Sequence, residues 1–417
     1  MSVTRRTARG FVALLVTALA LTGCSVAKPS AGSAESSPAT TTSAVPSVIA
    51  TSASPTATAK PFELTTSLTD GATVPVDHRF TATATAGTVE SVTLTSTDPR
   101  PDKKTVAGAL SPDRSTWTAG SLLEPGVSYT AAITARTDAG EAVARSVTFK
   151  TQSLSLKQQV FVYNIPGAGA TVGVAMPVVV TFDLPVTDRA SFEKNMHVTS
   201  APAQAGSWRW ISNKEAHWRP ATYWQPGTQV SINIDVNGVS AGGGLYGQES
   251  KQANFTIGRA ASINVDLAAH TLTQYTNGQA TRTIPITGGK PGYDTRAGIK
   301  VIMERLDSVD MNAATTGVGQ DSPEFYDLKD VKYAMRVTTS GEFFHAAPWS
   351  VGSQGRTNVS HGCVGMSTDN ADWLMANTIV GDPAMYTGSG RQLEDNNGWT
   401  DWNLPFDMYK SGSALGG

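Results

Sequence analysis

A mainly β chain of several domains is predicted by three features of the sequence. Charged residues make up only 16% of the 417 positions while 40% are hydrophobic, a balance that supplies packed cores but argues against coiled coils and long charged helices. Short β-branched runs alternate with a period of two and are bounded by Pro-Gly, Asp-Gly and Asp-Ala-Gly. A set of landmarks recurs at an offset of about 100 positions, one domain's worth of chain. The formal charge is −2, and −5 once Arg5, Arg6 and Arg9 of the first 23 residues are set aside. So weakly acidic a chain has no electrostatic footprint for nucleic acid. No apolar run of about 18 residues follows the N-terminus, so no integral membrane domain is expected.

Residues 1–24 read as an address. Basic Arg5, Arg6 and Arg9 precede an apolar run from Phe11 to Leu21, short for a bilayer span but suited to a signal-peptide core. The run ends in Leu21-Thr22-Gly23-Cys24, which resembles a bacterial lipobox and implies that Cys24 becomes the lipidated first residue; an ordinary secretory signal is the alternative. Acyl chains contribute about 0.8 kcal/mol per buried methylene, so two or more make a lasting anchor. In the segment 25–61 that follows, 28 of the first 36 residues are Ser, Thr, Ala or Pro. Such a stretch cannot bury enough apolar surface to order itself and should be a tether, on the order of 30 Å as a coil and about 120 Å at full stretch. Anchor and tether together would hold the folded part on the outer face of the plasma membrane, reaching into the wall.

Two repeats occupy 62–152 and 153–258. Gly71-Ala72-Thr73-Val74 recurs as Gly169-Ala170-Thr171-Val172, Trp117 as Trp218, and Pro125-Gly126 as Pro226-Gly227. Strand-period segments such as 89–94 and 129–134 in the first copy, and 178–182 and 230–234 in the second, predict two immunoglobulin-like β-sandwiches. Neither contains a cysteine, so each depends on its core, with Trp117 and Trp218 as central packing residues; an aromatic carbohydrate platform is the alternative, strengthened by Trp208, Trp210 and Trp224.

The third unit, 259–388, is also β-rich. Residues 261–266 and 271–275 alternate as a hairpin, a strand over 283–287 leads into Gly288-Gly289, and a single helix is expected from about Ser367 to Asn377, with Ser367 or Thr368 as N-cap. Residues 389–417 form a C-terminal extension.

With Cys24 assigned to the lipobox, Cys363 is left without a disulfide partner, a liability in an oxidising compartment unless it is buried or used. It sits in Ser360-His361-Gly362-Cys363, with His345 eighteen residues upstream after Phe343-Phe344. A neighbouring imidazole can take the proton of a thiol and give a nucleophile for acyl transfer. His345 at the end of one strand would reach Cys363 on the next, and the amides of Gly362 and Cys363 would hold an oxyanion. A buried inert cysteine and a zinc site built from His345, His361 and Cys363 are the competing readings, the latter lacking a fourth ligand at metal-site spacing.

His345, fourteen intervening residues and Ser360-His361-Gly362-Cys363 together resemble the signature of L,D-transpeptidase (YkuD-like) catalytic domains. The stretch from His345 to Gly352, with Gln354-Gly355 and Thr357-Asn358, is similar to actinobacterial and mycobacterial members, as is Asp401-Trp402-Asn403-Leu404-Pro405-Phe406-Asp407. The resemblance covers about 62–417 and implies tandem immunoglobulin-like domains ahead of the catalytic domain. It further implies Cys363 as nucleophile, His345 as general base and acid, the backbone carbonyl of Ala346 orienting that ring, His361 supporting the site, and Gly362 donating to the oxyanion. Tyr326 would be a lid tyrosine, with Trp349, Ser360 and Asn358 at the substrate. The family usually carries Asn two residues after the nucleophile, where this chain has Gly365. The activity implied is 3→3 cross-linking of peptidoglycan: a donor tetrapeptide stem acylates the cysteine, D-alanine leaves, and a diaminopimelate amine resolves the thioester. Carbapenems are the implied covalent inhibitors, and no metal or organic cofactor is implied. An L,D-carboxypeptidase using water as acceptor, or a non-catalytic wall-binding scaffold, are the alternatives.

Overall fold

The computed structural model describes residues 60–416; the signal segment, Cys24 and the tether lie outside them. Among the described residues no helix is long and apolar enough to cross a membrane. The first repeat is a sandwich of two sheets. One orders the strands Glu63–Thr66, Thr81–Thr85, Thr116–Ala119 and Gly108–Leu110; the other orders Ala72–Val74, Ala142–Thr151, Ser128–Thr137, Gly87–Ser96 and Thr105–Val106. The second repeat pairs a six-stranded with a four-stranded sheet. The repeated landmarks occupy equivalent places. Gly71 and Gly169 both adopt positive φ (75° and 77°), and each admits a short strand that runs parallel to the last strand of its sandwich. Only glycine takes that backbone region at no steric cost.

The tryptophans are core residues rather than a carbohydrate platform. Trp117 meets the Phe80 ring edge-on at 6.2 Å, and Phe80 in turn stacks on Phe149. In the second sandwich Trp218 stacks on Trp224 at 5.3 Å, and Trp208, Trp210, Trp218 and Trp224 are all buried. Burial removes the faces a sugar would need.

The third unit combines two sheets. A five-stranded sheet runs Gln279–Pro285, Thr271–Thr276, Ala261–Asp266, Pro383–Thr387, Gly298–Val301; a four-stranded sheet runs Glu304–Asn312, Asp327–Arg336, Phe343–Ala346, Val364–Met366. The hairpin expected over 261–275 forms in antiparallel register. The helix spans Thr368–Ala376, with the Ser367 hydroxyl accepting from the Asn370 amide at its start. Between the sheets and this helix lie Ile263, Val265, Leu272, Ile284, Phe344, Val364, Met366 and Leu374.

The second sandwich is joined to the third unit by close backbone contact. The amides of Gly173 and Ala175 donate to the carbonyls of Val380 and Gly381. A Cβ on Gly173 would lie 2.2 Å from the Asp382 nitrogen, so only glycine permits this approach. The C-terminal extension then returns over the second sandwich. Trp402 donates to the Ala175 carbonyl at 2.7 Å, and the Arg219 guanidinium lies against the rings of Trp402, Phe406 and Tyr409.

A buried ion pair marks the centre of this contact: His217 Nδ1 meets Asp401 at 3.0 Å and its Nε2 meets Glu215 at 2.8 Å. Burial alone would lower the imidazole's affinity for a proton, but the Asp401 charge and the two carboxylate hydrogen bonds overcome it and raise its pKa to about 9. Asp401 is held below the usual carboxylate range by His217 against its own burial, so it stays charged across neutral pH. The pair's contribution is therefore complete below the ordinary histidine pKa of 6.5 and is lost as pH rises through about 9. Substituting His217→Gln should cost roughly 3 kcal/mol at pH 6, the scale for breaking a buried pair. Urea denaturation at pH 6 and at pH 9.5 checks this: the unsubstituted chain should lose stability between the two, and the variant should lose much less.

Candidate active site

Cys363 stands one residue before Val364–Met366, which pairs parallel with Phe343–Ala346 so that Phe344 faces Val364 and His345 faces Gly365. Side chains alternate along a strand. Phe344, Ala346, Val364 and Met366 therefore enter the core, while Phe343, His345 and Cys363 turn to the opposite face. There His345 and Cys363 line one cavity of about 290 Å³, with Met311, Tyr326, Trp349 and His361. A second cavity of about 210 Å³ reaches Cys363 from the other side, between Asp310, Tyr326, Arg336, Gly341 and Phe343.

His345 is buried, and its Nδ1 lies 2.8 Å from the Ala346 carbonyl oxygen. A carbonyl can only accept, so Nδ1 carries the proton and Nε2 is the basic nitrogen. Burial lowers the ring's pKa below 6.5, and the carbonyl bond opposes this only in part. Cys363 is partly exposed, and its Sγ donates to the Gly341 carbonyl at 3.6 Å. Burial pushes the thiol up to about 12; the Phe343 amide pulls it down, Glu342 adds to the rise, and Lys300 and Arg336 oppose it. At neutral pH the resting pair is thus thiol and neutral imidazole. Desolvation of the sulfur favours its protonated form.

The loop between the two strands is braced by groups expected at the substrate. Asn358 does not line the cavity. Its Oδ1 accepts from the Gly288 amide at 2.8 Å and meets His270, while its Nδ2 donates to the Leu267 carbonyl, which uses up the amide and ties the loop to the five-stranded sheet. Ser360 lines the cavity, yet its hydroxyl donates to the Cys363 carbonyl at 2.6 Å and accepts from the Gly362 amide at 3.1 Å. The Gly362 amide is therefore engaged with Ser360 rather than aimed at a substrate oxygen. Gly362 itself has φ 122°, a backbone region that favours glycine.

His361 lines the cavity but turns Nε2 to Glu324 at 2.8 Å, and Glu324 also pairs with Lys290. The two partners, Lys290 first, hold the Glu324 carboxyl below its usual range. Tyr326 lies over His361 with ring centroids 5.0 Å apart. Trp349 is 56% exposed and sits 5.9 Å from the His345 ring, at the cavity mouth rather than in a packed loop. Among the described residues no three His, Cys, Asp or Glu side chains are grouped to hold a metal ion.

Sequence reading missed Arg296, Lys300 and Glu342, which form a buried cluster behind Cys363. No motif carries them. The one available signal was a lysine between Ile299 and Val301 in a strand-like run, where an exposed position is the usual expectation.

Two family models match the chain: a bacterial Ig domain over residues 71–240 and the L,D-transpeptidase catalytic domain over residues 260–385. The chain is 37% identical to L,D-transpeptidase 2 of Mycobacterium tuberculosis over 354 residues, 84% of this chain and 85% of that protein. It is 33% identical to L,D-transpeptidase 5 of the same species, over 75% of this chain and 69% of that one. A solved L,D-transpeptidase in complex with imipenem shares 39% identity, with a TM-score of 0.48, covering 54% of this chain and 97% of that one.

Gly365 lies where a side chain has no room. A Cβ there would stand 2.9 Å from the Ala347 Cβ and 3.3 Å from Thr287 Cγ2, directly across from His345. Gly365→Ala should cost about 1–3 kcal/mol by overpacking. Adding Ala347→Gly to the same chain should restore most of it, as thermal melting of the single and double variants would register.

Proposed function

The chain belongs to the L,D-transpeptidase family, and from that premise we propose that Cys363 and His345 carry out peptidoglycan cross-linking by two successive acyl transfers. The observation that supports this reading best is the His345 ring, locked by Nδ1 on the Ala346 carbonyl with Nε2 as the basic nitrogen, in the cavity that Cys363 also lines. His345 Nε2 takes the thiol proton as Sγ attacks the carbonyl of the third residue of a donor tetrapeptide. The carbon–nitrogen bond to the terminal D-alanine breaks, and the imidazolium returns the proton to the departing amine. The thioester is then attacked by a side-chain amine of diaminopimelate on a neighbouring stem. His345 accepts that amine's proton, the carbon–sulfur bond breaks, and the proton passes to sulfur, leaving a 3→3 cross-link and the starting enzyme. Splitting one amide exchange into two steps is what a cysteine nucleophile offers.

With the Gly362 amide turned to Ser360, the oxyanion of each tetrahedral intermediate falls to the Cys363 amide. The two cavities meeting at Cys363 give separate room to the acyl stem and to the amine, which favours transfer to a second stem over hydrolysis. Both the leaving amine and the attacking amine must pass His345, so they share the cavity that His345 lines. A carbapenem presents a ring-strained β-lactam carbonyl to Cys363 in place of the stem amide and should form a stable thioester there.

Export and anchoring follow from the sequence alone. The basic start, the apolar run from Phe11 to Leu21 and Cys24 support a lipid-anchored enzyme on the outer face of the plasma membrane, with 25–61 as its tether. Cys24→Ala should release the protein from the membrane fraction, and detergent partitioning of the two forms reads the difference.

Incubation with disaccharide-tetrapeptide should yield cross-linked dimer and free D-alanine, and imipenem should add one covalent adduct by intact mass. Cys363→Ala should abolish product and adduct; a dimer formed by that variant would overturn the reading. Because His345 acts as a neutral base with a pKa below 6.5, the acid limb of kcat/KM should have its midpoint below pH 6.5.

A further inference from the structure

Lys300 is 1% exposed in the strand Gly298–Val301, with its ammonium paired to Glu342 and lying 3.7 Å over the ring centroid of Tyr386. Glu342 is 4% exposed. Its Oε1 also accepts from the Arg296 side chain at 2.9 Å and the Arg296 amide at 3.1 Å. The Glu342 amide donates to Thr338 Oγ1, closing the turn 338–342. That turn carries the Gly341 carbonyl, 3.6 Å from Sγ, and leads directly into Phe343, whose backbone amide favours the thiolate. The Glu342 carboxylate also lies beside Gly362, where a Cβ would stand 3.6 Å from Oε1.

A buried ion pair is a weak device for stability, since desolvation of both charges offsets their attraction and apolar residues of similar volume often serve as well. Its location is the informative feature. We propose that Lys300 and Glu342 are a positioning pair for Cys363, holding the Gly341 carbonyl and Phe343 amide on the sulfur and setting, by their opposed charges, how readily it yields its proton. This rests on the reading of Cys363 as nucleophile. The other titratable groups around the sulfur are His345 on the adjacent strand, His361 two residues upstream, Asp310 and Arg336 across the second cavity, Tyr326 at the mouth, and Tyr386 under Lys300. The Glu342 charge disfavours a thiolate and the Lys300 charge favours it, with Glu342 the stronger influence.

The two partners therefore act on the sulfur in opposite senses, which a purely structural pair would not do. The test is the rate of Cys363 alkylation by iodoacetamide against pH, followed by mass on the Cys363 peptide of the full chain. Because burial lowers the pKa of the Lys300 ammonium to about 8, its charge acts on the sulfur only below that pH: Lys300→Met should slow alkylation at pH 7.5 by roughly three- to tenfold, with the difference closing above pH 8. Glu342→Gln should speed it by a similar factor and displace the profile to lower pH, and the double variant should fall between the two. Profiles that do not move, or that move in the same direction in both folded single variants, overturn the proposal. If Lys300→Met fails to fold by thermal melting, Glu342→Gln decides alone: a shift to lower pH supports the pair, and no shift or the opposite shift sinks it. The unsubstituted chain's muropeptide product reports separately on the transpeptidase reading. Cross-linked product with unmoved profiles fails the pair alone, whereas displaced profiles without product fail the transpeptidase reading and leave the pair standing.

Discussion

The parallel pairing of Phe343–Ala346 with Val364–Met366 is the constraint from which the site follows. Parallel strands require a crossover, and the seventeen residues from Ala347 to Cys363 provide one whose regular structure is a single 3-10 turn, Pro348–Ser350. Once the register sets Phe344 against Val364, the alternation of side chains leaves no choice. Cys363 and His345 face the same side, and the residues between them anchor the hydrophobic core. A slip of one residue would bury His345 among Val364 and Met366 and turn Cys363 away from its cavity. The bracing of the crossover by Asn358, Thr287 and Ser360 serves that register: Thr287 alone bonds the Gly365 backbone, the Thr357 carbonyl and the Val359 amide.

Desolvation sets the chemistry at this pair. It holds both partners neutral, raising the thiol and lowering the imidazole. A neutral thiol is guarded against adventitious oxidation, since the thiolate is the reactive form. In the proposed acyl transfer the proton then moves within the attack itself, which places more weight on the orientation of His345 than on its basicity. The Ala346 carbonyl supplies that orientation from the backbone. Loss of a side-chain hydroxyl at 346 therefore leaves the contact intact.

The chain commits charge to buried positions that hydrophobic packing could have filled. His217 and Asp401 are buried between the second sandwich and the C-terminal extension, and Lys300 and Glu342 are buried within the catalytic unit. The first pair sits among Trp402, Tyr409 and Arg219, where a directional contact fixes how the extension lies across the sandwich. Glycine at 173 lets the neighbouring backbones touch there. The catalytic unit is therefore braced by the domain that precedes it.

Local pattern in the sequence was enough for the β-rich class, the repeated sandwiches and the N-capped helix from Thr368, because strand periodicity, turn glycines and cap residues are all written in short stretches of chain, and the structure sets His345 and Cys363 on one cavity. Core or platform remained open for the tryptophans until burial was known, since an indole serves both. Tertiary structure alone decided that Asn358 and the Gly362 amide are spent on the loop, that Cys363 meets the Gly341 carbonyl, and that Lys300 is buried against Glu342. Each of these depends on partners brought together from far along the chain: Asn358 with Gly288 and Leu267, Lys300 with Glu342, Cys363 with the turn at Gly341. Burial and long-range hydrogen bonding, not residue type, determine what such groups do, and neither is encoded in spacing.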